Sequence, residues 1–357
     1  MTPREKTEPG EKTEPGEKTE LAQSLRGERL ALEEVPLIDF GPFLAGDLAA
    51  RRQVAGKIGR ACRDIGFFYL KNHGIPEALV AGSFAEAKRF FDQPMARKQE
   101  IAIENSACHR GYFAVGGENL DPAKQTEAGD LKEGIKIGRD LGPEHPRVRQ
   151  GLALHGANQW PVGLPGWREV MQRYFDALED LGRQIMRAFA LALGLEEEHF
   201  TPLLTEPMTT LGPLHYPPQG GRITEKRIGA GAHTDFGCLT ILAQDPVGGL
   251  QVRNAAGKWI DAPPIPGVFV VNIGDMMARW TNDRFASTYH RVINASGRER
   301  YSMPFFFDPN FEAEVVVLPT CSGPDDPPKY PPTTGGRHLL DMIDATFAYH
   351  REKPVPR

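Results

Sequence analysis

The sequence predicts a mostly β fold with flanking helices, a barrel-like shell of the sandwich or jelly-roll kind, and three observations carry that reading. After Pro207, short β-prone runs recur between Gly, Pro and Asn, and strands so spaced build a shell whose open end can enclose a ligand. Upstream, apolar residues recur instead at helical spacing, longest over Trp167 to Leu193. The chain has 357 residues, 40% of them hydrophobic, enough for a substantial core.

Taken in order, Glu5-Lys-Thr-Glu-Pro-Gly10 recurs unchanged as residues 11–16 and in part as Glu17-Lys-Thr-Glu20. Such a charged Pro/Gly segment cannot bury apolar surface, so residues 1–34 are expected to be a disordered tail. We read it as a functionless or misassigned start, with a tether or partner-binding tail as the alternative. Globular patterning begins with a short strand at Val35-Pro-Leu-Ile-Asp-Phe40. Leu48 to Arg63 is helical, Gly66-Phe-Phe-Tyr-Leu70 returns to strand, and Pro76 to Phe91 is an amphipathic helix with Val80, Phe84, Ala87 and Phe91 on one side. Residues 105–140, rich in Gly and charge, are expected to loop across the mouth of a site. Residues 35–150 thus read as an N-terminal α/β cover.

Residues 151–206 supply bracing helices. Met171, Phe175, Leu178, Leu181, Ile185, Phe189 and Leu193 make a stripe at near-helical spacing that would pack on a sheet from outside. The core, residues 207–312, is expected to hold strands at Met208 to Leu211, Leu239 to Ala243, Leu250 to Arg253, Val268 to Asn272, Thr288 to Ile293 and Tyr301 to Phe307. Residues 313–357 end the chain as a loop and a helix from about Gly336 to His350.

A net charge of −5 gives no basic excess, so neither nucleic acid nor an anionic membrane is suggested as a partner. No apolar run reaches the length of a membrane span, and the N-terminus lacks the apolar centre of a signal peptide. The expected compartment is the cytoplasm and the expected partner a small molecule; the sequence is silent on oligomeric state. Cys62, Cys108, Cys238 and Cys321 are far apart with no Cys-x-x-Cys, which signals neither a zinc cluster nor a disulfide framework. Cys238, three residues after Asp235, reads as a small buried apolar residue rather than an oxidant sensor.

The chemistry-bearing residues are dispersed: His233-Thr-Asp235, His290 and Arg300-Tyr-Ser302, with Leu214-His-Tyr-Pro-Pro218 upstream. Two histidines and one carboxylate leave further positions on a metal open, the donor set of non-haem Fe(II) oxygenases. A His-x-Asp pair alone is weak; His233 could be a core histidine and Asp235 a turn residue. Here the pair sits in Gly229-Ala-Gly-Ala-His-Thr-Asp-Phe-Gly237, which runs into the apolar Leu239-Thr-Ile-Leu-Ala243, so both ligands fall at a strand edge. Alternation puts Thr288, His290 and Val292 on one face. The planar fork of Arg300 suits a carboxylate, and Ser302, two residues on, shares its face.

With Val35-Pro-Leu-Ile-Asp39, Ile65-Gly-Phe-Phe-Tyr-Leu-Lys-Asn-His-Gly-Ile-Pro76 and then His-x-Asp, His and Arg-x-Ser in order, the chain resembles the isopenicillin N synthase-like branch of the Fe(II)/2-oxoglutarate dioxygenases from about Val35 to Phe311. The resemblance implies a double-stranded β-helix (jelly-roll) core and Fe(II) on His233, Asp235 and His290. It implies 2-oxoglutarate and O2 as cosubstrates, with Arg300, Ser302 and Tyr216 on the far carboxylate of 2-oxoglutarate. The activity implied is oxidation of a small molecule, by default hydroxylation, coupled to decarboxylation of 2-oxoglutarate to succinate, with no catalytic side chain beyond the metal ligands. Candidates for the substrate pocket are Tyr112, Glu118, Phe236 and Phe305, and the acidic Glu118 would suit a cationic or amino-acid-like substrate. Ala243-Gln-Asp-Pro-Val-Gly-Gly-Leu250 and Asp308-Pro-Asn-Phe311 are also similar to bacterial ethylene-forming enzymes, which carry an arginine where this chain has His215. Ethylene formation, a 2-oxoglutarate-independent oxidase of the isopenicillin N synthase type and a non-catalytic metal-binding sensor are the alternatives.

Overall fold

Runs of β-branched and aromatic residues broken by Gly and Pro pair into two principal sheets, and long apolar-striped helices close the outer face of the larger one. The computed structural model describes residues 34–126, 128–219 and 223–346. The N-terminal repeat and all of the expected tail but Glu34 lie outside the described residues, as do the last residues of the expected C-terminal helix.

In chain order the elements are β1 (Leu37–Asp39), α1 (Gly41–Ala45), α2 (Leu48–Asp64), β2 (Phe67–Lys71), α3 (Glu77–Phe91), α4 (Met95–Gln99), β3 (Gly111–Phe113) and β4 (Glu133–Gly138). There follow α5 (Pro146–Arg149), α6 (Trp167–Ala192), β5 (Met208–Leu211), β6 (Leu214–Tyr216), β7 (Ala230–His233), β8 (Leu239–Gln244), β9 (Leu250–Arg253), β10 (Trp259–Asp261) and β11 (Phe269–Ile273). The chain continues through α7 (Asp275–Trp280), β12 (His290–Val292), β13 (Arg300–Asp308), β14 (Glu314–Val315), β15 (Thr333–Thr334) and α8 (Gly335–Thr346).

Nine strands form the major sheet in the order β1-β2-β11-β8-β13-β5-β4-β3, with β6 joined to both β13 and β4. The minor sheet runs β10-β9-β12-β7. Together they make the jelly-roll core expected of a mostly β chain with flanking helices. Strands β1 to β4, all from residues 35–150, extend the major sheet itself rather than lying over it. The loop expected over residues 105–140 therefore contains two strands, β3 and β4. In β4 the buried Ile135 and Ile137 flank the half-buried Lys136, a period-two signal masked by the glycines and charges around it.

Helix α6 braces the sheet as its stripe implied. The edge of the Phe175 ring meets Phe305 at 5.3 Å between centroids, and Gly182 lets β13 approach so closely that a Cβ there would come within 2.4 Å of the Phe307 ring. Strand β13 is two-faced. Phe305 and Phe307 are fully buried toward α6, whereas Arg300, Ser302, Pro304, Phe306 and Asp308 line an internal cavity. Phe305 is thus a core anchor and not the pocket residue expected; counting by twos from Arg300 and Ser302 leads to Phe306 instead. Phe305→Ala should lower unfolding free energy by about 3–5 kcal/mol, the range for deleting a buried phenyl ring, as read by urea denaturation.

Candidate functional site

His233 ends β7 and His290 begins β12, and the two are direct cross-strand partners in the minor sheet, which sets their rings 4.2 Å apart between centroids. Each Nδ1 faces a carbonyl oxygen two residues earlier, Gly231 O at 2.8 Å for His233 and Thr288 O at 3.1 Å for His290. A carbonyl only accepts, so each Nδ1 carries the proton and each Nε2 presents a lone pair. Both Nε2 atoms converge on Asp235 Oδ1, at 3.7 Å from His233 and 3.6 Å from His290. Asp235 Oδ2 is engaged separately, accepting from Thr240 Oγ1 at 2.5 Å and Asn272 Nδ2 at 2.6 Å. The turn carrying Asp235 is tied to α7 by Asp275 N donating to Asp235 O at 2.7 Å.

Among the described residues these three are the group whose ligand atoms, all within 4.8 Å of one another, could hold a metal ion. Burial, and then the His290 ring, pushes the His233 pKa down to about 3. Burial pushes Asp235 upward, but His290 and His233, with the Thr240 and Asn272 hydrogen bonds, hold it below its ordinary value. Two imidazole Nε2 lone pairs and one carboxylate oxygen make a donor set that fits a borderline divalent cation. Thr240 and Asn272, which orient the carboxylate, were not singled out from the sequence; nothing in their local pattern marks them.

Arg300 begins β13 opposite Tyr216 of β6 and is 1% exposed. Its guanidinium lies 4.6 Å from the Tyr216 ring centre, and Nη1 reaches Ser302 Oγ at 3.3 Å. Nη2 donates to Gln244 Oε1 at 3.1 Å and Nε to Gly248 O at 2.5 Å, two further contacts that sequence reading missed. Arg300, Ser302 and Tyr216 line the same cavity, of ≈ 180 Å³, as His233, Asp235 and His290.

Of the pocket candidates, Phe236 and Glu118 line this cavity. Phe236 is set in place where its carbonyl meets His338 Nε2 of α8 at 2.8 Å, and α8 adds Leu339 and Ile343 to the wall. Glu118 is not an open anion. Lys132 lies 2.8 Å away and Lys136 3.8 Å, and against the upward push of burial these lysines bring its pKa to about 2. That removes its case for a cationic substrate. Tyr112 does not line the cavity: its hydroxyl donates to Glu133 Oε2 at 2.6 Å within the core. Nor does His215, whose Nδ1 lies 2.8 Å from Glu133 Oε1 while its ring stacks on Tyr301 at 4.8 Å.

A family model described as "non-haem dioxygenase in morphine synthesis N-terminal" matches residues 35–163, and one described as "2OG-Fe(II) oxygenase superfamily" matches residues 210–309. The 2-oxoglutarate-Fe(II) type oxidoreductase hxnY of Emericella nidulans is 42% identical over 317 residues, spanning 87% of this chain and 89% of that protein. Homoarginine-6-hydroxylase 2-ODD-C23.2 of Arabidopsis thaliana is 37% identical over 329 residues, 88% and 89% of the two chains. The crystal structure of full-length Neurospora crassa T7H in complex with alpha-KG and thymine aligns with a TM-score of 0.77 at 33% identity, covering 87% of this chain and 96% of that one.

Glu133 is the hub behind the cavity wall, bonded by Lys98 Nζ at 2.6 Å as well as by Tyr112 and His215. Burial raises its pKa, but the bonds from His215, Lys98 and Tyr112 outweigh it and the folded value is depressed. Its stabilising effect is therefore complete above the ordinary carboxyl value and lost as pH falls through the lower folded one. Glu133→Gln should flatten the fall in unfolding free energy between roughly pH 5 and 3, measured by denaturant titration across that range.

Proposed function

The chain belongs to the 2OG-Fe(II) oxygenase superfamily, and from that premise we infer that His233, Asp235 and His290 hold the iron and that Arg300, Ser302 and Tyr216 hold the far carboxylate of 2-oxoglutarate. The protein carries out Fe(II)- and 2-oxoglutarate-dependent oxidation of a small-molecule substrate; the finer reading is that the oxidation is a hydroxylation. One observation carries the assignment of iron and 2-oxoglutarate to these residues: three inward-facing ligand atoms and a buried arginine fork share one small cavity. The chemistry that Fe(II), 2-oxoglutarate and O2 would supply when bound is conversion of a substrate C–H to C–OH with one oxygen atom of O2, the other entering succinate as 2-oxoglutarate loses CO2.

This chain's residues provide the rest. The carbonyls of Gly231 and Thr288 keep the Nε2 lone pairs inward, while Thr240 and Asn272 leave only Asp235 Oδ1 for the metal. Arg300, with Ser302 beside it, fixes one end of the cosubstrate by charge-assisted hydrogen bonds. Phe236, Leu339 and Ile343 wall the cavity with apolar surface that excludes water. The cavity's size suits a small molecule and not a polymer. The hydroxylase names among the relatives support hydroxylation as the outcome. The N-terminal motif at residues 65–76 supports the isopenicillin N synthase-like branch, and the major sheet, in which β1–β4 join β5, β6, β8, β11 and β13, supports residues 35–312 as one catalytic unit.

The test is anaerobic reconstitution with Fe(II) and 2-oxoglutarate, then O2, with succinate and headspace ethylene quantified over a panel of metabolites. His233→Ala should abolish iron-dependent succinate formation; unchanged turnover would sink the ligand assignment, and abundant ethylene would replace hydroxylation. Arg300→Lys keeps the charge but loses the fork, so KM for 2-oxoglutarate should rise about tenfold or more with a smaller change in kcat.

A further inference from the structure

Strand β13 ends in a cavity-lining side chain that the metal and cosubstrate assignments leave unused. Asp308 lies eight residues beyond Arg300, roughly 26 Å along an extended strand, so it belongs to the opposite end of the cavity from the cosubstrate's far carboxylate. It is 4% exposed. Its Oδ1 accepts from Cys238 N at 2.7 Å, and Gly237 makes room for that approach, since a Cβ there would overlap the carboxyl group. Among the described residues no donor or cation meets Oδ2. Burial lifts the Asp308 pKa to about 7 against the pull of the Cys238 bond, with Asp235 adding to the rise. A buried carboxyl with one oxygen satisfied and the other facing a cavity is relieved by a ligand that brings a hydrogen-bond donor.

The register of the sheet supplies a second polar group at the right place. Thr210 of β5 lines the same cavity. It lies opposite Phe306, while Asp308 lies opposite Met208, which makes Thr210 and Asp308 diagonal neighbours roughly 7 Å apart, a gap bridged by an amide whose N–H and C=O each make a bond of about 2.9 Å in opposite senses. Phe306 and Met208 form the apolar floor between them.

The surrounding charge selects a neutral ligand. Lys136, which pairs with Glu118 at 3.8 Å, holds its ammonium 5.2 Å from the Phe306 ring centre, and the Arg110 guanidinium packs on Gly138, the partner of Thr210 across β4 and β5. A cation bound at Thr210 would therefore face like charges, and an anion bound at Asp308 would face its carboxyl with Asp235 behind it. A neutral amide meets neither penalty. Its N–H also favours the ionised form of the carboxyl that accepts it.

Resting on the assignment of the metal to His233, Asp235 and His290 and of Arg300 to 2-oxoglutarate, we propose that Asp308 and Thr210 form a subsite for a neutral amide group on the substrate, Asp308 Oδ2 accepting its N–H and Thr210 Oγ1 donating to its carbonyl oxygen. The substrate's carbon skeleton then lies against Met208, Phe306 and Phe236, on the way to Asp235.

The test uses the full chain loaded with Mn(II) in place of iron, which halts turnover, and saturating 2-oxoglutarate. N-methylbenzamide, methyl benzoate, benzylamine and benzoate serve as probes, with binding read by calorimetry. N-methylbenzamide should bind at least tenfold more tightly than methyl benzoate, which has nearly the same shape without the N–H, and more tightly than the amine or the acid. Asp308→Asn retains an acceptor for Cys238 N, which turns the new NH2 toward the cavity, so this variant should melt as wild type does yet lose or invert the preference for amide over ester. Thr210→Val should weaken amide and ester alike, and Thr210→Ser should restore both. Equal binding of amide and ester, tighter binding of the amine or the acid, no binding of N-methylbenzamide, or an amide preference that survives in folded Asp308→Asn would each overturn the subsite. Should Asp308→Asn fail to fold, unchanged amide affinity in Thr210→Val would overturn it equally. Failure of wild-type protein to bind 2-oxoglutarate would instead strike the metal and Arg300 assignments on which the subsite rests.

Discussion

The catalytic end of the molecule depends on one constraint: three polar ligands must be buried with every other polar atom they carry already satisfied. An imidazole or carboxylate taken out of water is costly unless hydrogen-bonded. The sheet solves this locally, because each histidine's Nδ1 meets a carbonyl of its own strand's approach and Asp235 Oδ2 meets Thr240 and Asn272. What remains is two lone pairs and one carboxylate oxygen aimed at a common point. Without a cation that convergence is unfavourable, so the order of the surrounding hydrogen bonds is what holds the site ready. The cross-strand pairing of His233 with His290 makes the spacing a property of the minor sheet rather than of flexible side chains.

Strand β13 imposes the second condition. One face carries Arg300, Ser302 and Phe306 into the cavity, and the other drives Phe305 and Phe307 against α6. Because the side-chain period is two, slipping this strand by one residue would exchange the faces entirely. The apolar seam with α6 therefore fixes the register that aims the guanidinium. Core packing and the placement of Arg300 in the cavity are one choice, made at the Gly182–Phe307 contact.

This division explains what could be read beforehand. The convergence of His233, Asp235 and His290 and the shared face of Arg300 and Ser302 were legible because each lies in a short segment whose own neighbours define a strand edge or face. The stripe of α6 was legible because its period is long and uninterrupted. Phe305 was misplaced because Met303-Pro-Phe-Phe-Phe307 is apolar on both faces and hides the alternation, although the parity was available from Ser302. Tyr112 and His215 could not be placed, since both are committed to Glu133, and the His215 partnership spans 82 residues of chain. Glu118 does line the cavity, but its charge is not open, because Lys132 and Lys136 reach it once β4 has joined the sheet.

The same lysines bear on why so much charge is buried near a metal. Ion pairs removed from water contribute little to stability and are weak evidence for a purely structural purpose. Here Asp130 accepts from Gly231 N at 2.9 Å, two residues before His233, while also pairing with Lys132. Lys132 in turn holds Glu118 at the cavity wall beside Lys136. The network thus joins the strand that carries the first ligand to the wall that carries Arg110. A hydrophobic replacement could pack as well, but it would leave those two surfaces free to shift independently. Whatever binds against this wall meets a surface whose position is already fixed relative to His233, which is preorganisation of the cavity by its own ion pairs.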